Sequence, residues 1–180
     1  MRAFIAAGIP DNIRERLSEA ALSLSLSDIR IVDRNNMHFT LAFLGELEDS
    51  SVDKVIEAID RINFHGFGID IEGIHHFGNP GAIYSAVTVG ADSIIELAGS
   101  LRAELAASHI HFDKKDFVPH VTIARMKRRV DEKVLIDELD RFVDKRFGSY
   151  ALDTISLFKS VLGPDGPKYE KLYERKAGGA

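Results

Sequence analysis

Apolar positions along this chain change period several times, and each change marks an element. Residues 2–7 (RAFIAA) predict a short strand. Over 11–25, Ile13, Leu17, Ala20, Ala21 and Leu24 recur at helical spacing and predict an amphipathic helix. Residues 36–44 alternate as a strand. The next segment, EDSSVDKVIEAIDRI, predicts a helix with Val52, Val55, Ile56 and Ile59 on one face and a capping box from Ser50 to Asp53. FGIDIEGIHHFG and AIYSAVTV read as two strands around the turn signal NPG at 79–81. A helix follows over 92–107, then a loop, then a strand at 119–125 and a helix at 131–142. Residues 149–159 alternate once more, GPDGP at 163–167 is a turn, and KYEKLYER predicts a closing strand. Seven or eight strands with four helices make an α+β protein. No composition shift marks a linker, so 1–176 is expected to form one domain and 177–180 a disordered tail.

Two of the predicted strands carry the same polar insertion. NNMHFTLAFLGEL at 35–47 has His38 and Thr40 two residues apart in apolar surroundings, and FVPHVTIARMKRR at 117–129 has His120 and Thr122 likewise. The histidines lie 120 − 38 = 82 positions apart, and Ala42 matches Ala124. Residues i and i+2 share one face of a strand. Strict alternation therefore sets His38 with Thr40 on one face and Phe39, Leu41 and Phe43 on the other, and repeats this with Val121 and Ile123 in the second copy. One such pair on a solvated strand face means little. Two copies suggest a site built twice across a cleft. Paired imidazoles can act as general base and general acid, since histidine titrates near neutrality. Threonine hydroxyls can donate to anionic oxygens. Together these groups suit displacement at phosphorus without a metal or cofactor.

Composition narrows the chemistry further. With Cys 0, disulfides, a thiolate nucleophile and the commonest structural zinc sites are excluded, which suits a reducing cytoplasm. The nucleophile elbow and the Walker and Rossmann glycine patterns do not occur. No apolar run approaches the ~20 residues of a membrane span, so no membrane partner is expected. The net charge of −5 argues against a general nucleic-acid binder. However, RMKRR at 125–129 puts four cations in five positions beside the second motif, and Arg34 precedes the first. A local positive cleft is compatible with an acidic protein.

These motifs resemble those of the 2H phosphoesterases, and more closely the RNA 2′,3′-cyclic phosphodiesterases once called 2′-5′ RNA ligases. The resemblance covers nearly the whole chain: MRAFIA, MHFTLAFLGE, PHVTIARMK and LFKSVLGPDGPKYEKL each look like a family segment. It implies two pseudo-symmetric lobes, each an antiparallel sheet backed by helices, with the active site in the cleft between them. It also implies hydrolysis of RNA 2′,3′-cyclic phosphate ends to 2′-phosphomonoesters, with ATP-independent 2′-5′ joining in several members and no metal. His38 and His120 would then be catalytic, with Thr40, Thr122 and Arg125 on the phosphate. The expected partner is an RNA with a cyclic phosphate end, tRNA fragments included, and the protein is expected to be a monomer. Many relatives place Trp after the Pro-Gly turn, whereas this chain has Tyr84 there.

Alternation puts Arg125 opposite Thr122, and a bulge or strand end would return it to the cleft. Arg2, Tyr84, Lys127 and Arg128 are further candidate RNA contacts. His75 and His76 are adjacent on a strand and read as structural, and Phe39, Phe43, Leu44 and Phe117 read as core. Two other functions fit the same residues: a 2H enzyme acting on another cyclic phosphate, such as an ADP-ribose derivative, and a non-catalytic RNA- or nucleotide-binding module.

Overall fold

A computed structural model describes residues 1–164 and 166–178. Its strands are β1 (Arg2–Ala7), β2 (Ile29–Ile31), β3 (Phe39–Glu46), β4 (Phe67–Gly78), β5 (Gly81–Val89), β6 (His120–Met126), β7 (Arg146–Leu152), β8 (Thr154–Gly163) and β9 (Gly166–Lys176). The helices are α1 (Asp11–Leu22), α2 (Val52–Arg61), α3 (Ala91–Ala107) and α4 (Glu132–Asp140). The α+β class is as the periodicity predicts.

The strands form one antiparallel sheet in the order β7-β4-β5-β6-β3-β1-β8-β9, with β2 also paired to β6. The two motif strands, β3 and β6, are its centre. Outward from β3 run β1, β8 and β9, and outward from β6 run β5, β4 and β7, so each half has four main strands. Within the sheet, among the described residues, the halves join where Phe39 of β3 pairs with Val121 of β6.

The helices are exchanged between the halves. α3 packs on β3 and α2 on α3 and β9, while α1 packs on β6 and β7 and α4 on β4. The lobe of β1, β3, β8 and β9 therefore draws on both ends of the chain, and the other takes α1 from the N-terminal part. The apolar faces meet in a continuous core that includes Ile5, Leu41, Ile83, Leu101, Ile123 and Phe147, all at 0% exposure. Each such side chain contributes on the order of 1.5–3 kcal/mol when taken out of water.

Three sequence expectations are corrected. The run read as one strand over 149–159 is two, β7 and β8, broken at Asp153. β2 lies in a segment with no strand prediction, because three residues are too few to show a period. The capping box at Ser50 does not form: a 3₁₀ turn occupies Asp49–Ser51, and α2 begins at Val52 without a side-chain cap. In the tail, the Ala177 amide donates to Asp153 O and the Gly178 amide to Phe64 O, at 2.6 and 3.1 Å. Of the expected turn at 163–167, Asp165 lies outside the described residues, as do tail residues 179 and 180.

Candidate active site

The seam between β3 and β6 brings the two motifs together. Antiparallel pairing of Phe39 with Val121 gives partners whose numbers sum to 160. His38 and Thr40 flank Phe39, and His120 and Thr122 flank Val121, on either side of this pair. All four alternate with the buried Phe39 and Val121 and so share the opposite face of the sheet. They line a cleft of about 730 Å³, with Arg125, Arg34, Phe43, Asn36 and Tyr169.

A matched pair of bulges shapes the cleft floor. Along β5 and β6, Ile83 faces Ala124 but Tyr84 faces Thr122, leaving Ile123 as the extra residue. Along β1 and β3, Ile5 faces Ala42 but Ala6 faces Thr40, leaving Leu41 extra. A bulge turns two successive side chains to one side. Leu41 with Ala42, and Ile123 with Ala124, are accordingly all buried at 0% exposure. The next residue then returns to the cleft. In β6 that residue is Arg125, which alternation alone would have pointed away. In β3 it is Phe43, which is 50% exposed. The core assignment of Phe43 is thus overturned by one inserted residue. The repeat is more regular than the sequence reading: His-x-Thr-x-x followed by an outward planar side chain.

The histidine rings are fixed by the same local device. Nδ1 of His38 donates to the Asn36 carbonyl at 2.6 Å, and Nδ1 of His120 donates to the Val118 carbonyl at 2.7 Å. A carbonyl only accepts, so the neutral rings carry their proton on Nδ1 and present Nε2. Their surroundings differ. Nε2 of His38 is 2.9 Å from Thr40 Oγ1, which donates to it. Among the described residues, no protein group bonds Nε2 of His120.

Aromatic rings hold each imidazole in turn. Phe4 stacks on His38 at 4.9 Å, and Tyr169 meets that ring edge-on at 5.4 Å. Phe77 and Tyr84 meet His120 edge-on at 5.0 and 5.5 Å and stack on each other at 4.0 Å. Burial pulls His38 down to about 4, with the charge of His120 adding to this and the Asn36 bond opposing it. Burial also lowers His120, helped by the Arg125 charge and opposed by the Val118 bond.

Residues 7–84 and 87–169 each match the family model described as LigT like phosphoesterase, one match per His-x-Thr motif. The chain belongs to this family. It is 31% identical over 177 residues to an RNA 2′,3′-cyclic phosphodiesterase of Methanocaldococcus jannaschii, covering 97% of this chain and 99% of that one. A second enzyme of that name, from Archaeoglobus fulgidus, is 32% identical over 176 residues, covering 96% and 98%. Among solved structures, TT0787 of Thermus thermophilus superposes with a TM-score of 0.80 at 26% identity, covering 98% and 97%. LigT of E. coli complexed with 3′-AMP gives 0.82 at 23% identity over the same shares, a likeness of fold.

The other residues singled out in this LigT-like chain fall around the cleft. Tyr84 stands behind His120 and is not among the lining residues. Arg2 is exposed on β1, close enough for its charge to act on the Tyr169 phenol. Lys127 and Arg128 are exposed in the turn after β6, where the Lys127 amide donates to Asp28 O at 2.7 Å. The His76 ring donates to Gly78 O, 2.8 Å away, and His75 lies 5.7 Å from the Tyr84 ring.

Tyr169, Phe4 and Phe77 were not legible as site residues, because they come from strands without a motif. The hairpin of β8 and β9 carries Tyr169 over the cleft, and Asn36 Nδ2 pins it by donating to Pro167 O at 2.8 Å. Among the described residues there is no group of three or more His, Cys, Asp or Glu that could hold a metal ion. No helix among them is long and apolar enough to cross a membrane.

Proposed function

We propose that this protein opens the 2′,3′-cyclic phosphate at the end of an RNA to a 2′-phosphomonoester, with His38 as general base and His120 as general acid. The observation that carries this is the two imidazoles and two hydroxyls that line one cleft beside the Phe39–Val121 pair. The names of the relatives in M. jannaschii and A. fulgidus support the same substrate. Water attacks phosphorus and loses its proton to Nε2 of His38. The bond from phosphorus to O3′ breaks, and O3′ takes the proton from Nε2 of His120. His38 has the more strongly lowered pKa, so a single shared proton resides on His120. Thr40 Oγ1, which caps Nε2 of His38 in the free site, turns to a phosphate oxygen as the base is released. Thr122 and Arg125 take the remaining charge, and exposed Phe43 offers a face to the terminal base.

The test is product analysis. RNA ending in a 2′,3′-cyclic phosphate is incubated with the protein in excess chelator, and the isomeric monoesters are resolved. Accumulation of the 2′-monoester is expected. An unchanged end would overturn the reading, as would activity that requires an added divalent ion. In the same assay, Thr40→Val and Thr122→Val keep the side-chain shape but delete a donor. Each should lower kcat by roughly 10-fold or more, the scale of one hydrogen bond to a charged group. A rise in KM alone would make the threonines ground-state binders.

A further inference from the structure

Strand β2 places Arg30 directly across from Arg125 of β6. Like charges opposite each other on neighbouring strands are destabilising. Among the described residues, neither guanidinium lies within ion-pair distance of a carboxylate, whereas nearby Arg34 reaches Asp11 and Glu15 at 3.9 and 3.7 Å. Both Arg30 and Arg125 line the cleft, in which Asp33 is the single carboxylate among the lining residues. Asp33 is engaged elsewhere, accepting from the Asn35 amide at 2.8 Å.

The hairpin tip fixes where Arg30 points. A Cβ on Gly166 would run into Arg30 Nη2, and Gly166 has φ +118°. Glycine there meets the backbone demand and clears room for the guanidinium. Arg30 therefore sits beneath the tip, between β9 and β6, at the cleft rim. A cyclic phosphate carries one negative charge, and the two hydroxyls with Arg125 already face it. The cleft thus holds more positive charge than one phosphodiester needs.

We propose that Arg30, paired with Arg125, binds a second phosphate on the same substrate and makes the site selective for a terminal nucleotide phosphorylated on its 5′ oxygen. This rests on the proposed ring-opening reaction. The 5′ group is either the next phosphodiester of an RNA chain or a free 5′-monoester, and both present non-bridging oxygens to a guanidinium fork.

The experiment compares kcat/KM on three substrates: a nucleoside 2′,3′-cyclic phosphate, the same with a 5′-phosphate, and a dinucleotide ending in the cyclic phosphate. The native protein should favour the last two by roughly tenfold or more, the scale of one charge-assisted contact. The advantage should shrink as salt rises. Arg30→Gln should bring both ratios close to one, and Arg30→Lys should keep part of them. An advantage for the dinucleotide alone identifies the chain phosphodiester as the ligand, and one for both identifies any 5′ phosphate. Native ratios near one, or ratios unchanged in Arg30→Gln, overturn the inference. Ring opening of none of the three overturns the proposed function and this inference with it.

Discussion

Replacing either His38 or His120 by alanine is expected to lower kcat/KM by roughly 10²–10⁴-fold, the range of general acid–base catalysis. The shared cleft makes the two losses interdependent. Both imidazoles line one cleft beside the Phe39–Val121 pair, and each acts on the same phosphorus from its own side. The double variant should therefore fall little below the worse single one, because groups that act as a unit do not add. Folding needs a control at His38, whose ring fills space between Phe4 and Tyr169. A variant that keeps this volume, His38→Gln, separates the effects. It should be inactive with a thermal midpoint near the native one. Substantial turnover in either alanine variant, measured on a cyclic-phosphate end, would remove that histidine from the mechanism.

The motifs were legible because they are written twice. A two-residue spacing fixes a shared strand face whatever the tertiary context, so the sequence alone places His38 with Thr40 and His120 with Thr122. Strict alternation failed one step further along, at Phe43, while Arg125 was expected in the cleft only if a bulge or strand end returned it. Strict alternation sends Phe43 to the core and Arg125 to the far face, and a bulge reverses both. The clue was the small residue common to the copies, Ala42 and Ala124. Each is the second of two side chains packed inward together, where the core leaves little room. Of the aromatic cages the sequence singles out Tyr84 alone, and as an RNA contact rather than a wall of His120. Phe4, Phe77, Tyr84 and Tyr169 reach the imidazoles from four strands, and no local pattern encodes long-range pairing. Arg30 was hidden for a related reason, since β2 owes its strand geometry to β6 and not to its own sequence.

Those cages carry the second large prediction, the position of the pH profile. Sequence alone places both limbs of a bell between roughly pH 5 and 8, where histidines usually titrate. The structure moves the bell toward acid. The profile of kcat/KM reports the free enzyme, and its active form holds one proton between the two rings. The ascending limb marks loss of the proton from His38, whose pKa is lowered from 6.5 to about 4. The descending limb marks loss of the proton from His120, which is held below 6.5. Both shifts are downward, so the charged acid disappears earlier as pH rises. Beyond the descending limb the rate should drop about tenfold per unit of pH. At pH 8, about 1.5 units above the upper bound for His120, kcat/KM should be roughly 30-fold or more below its maximum. The kcat profile should sit at higher pH, because a bound phosphate anion between the rings favours their charged forms. His38→Ala should erase the ascending limb and His120→Ala the descending one, each lowering the whole curve. The reverse pattern would exchange base and acid. Phe4→Leu, which opens the stack on His38 without touching its hydrogen bonds, should move the ascending limb up toward 6.5. A native kcat/KM that rises steadily through pH 9 would mean that no histidine acid takes part. The cages would then be packing alone.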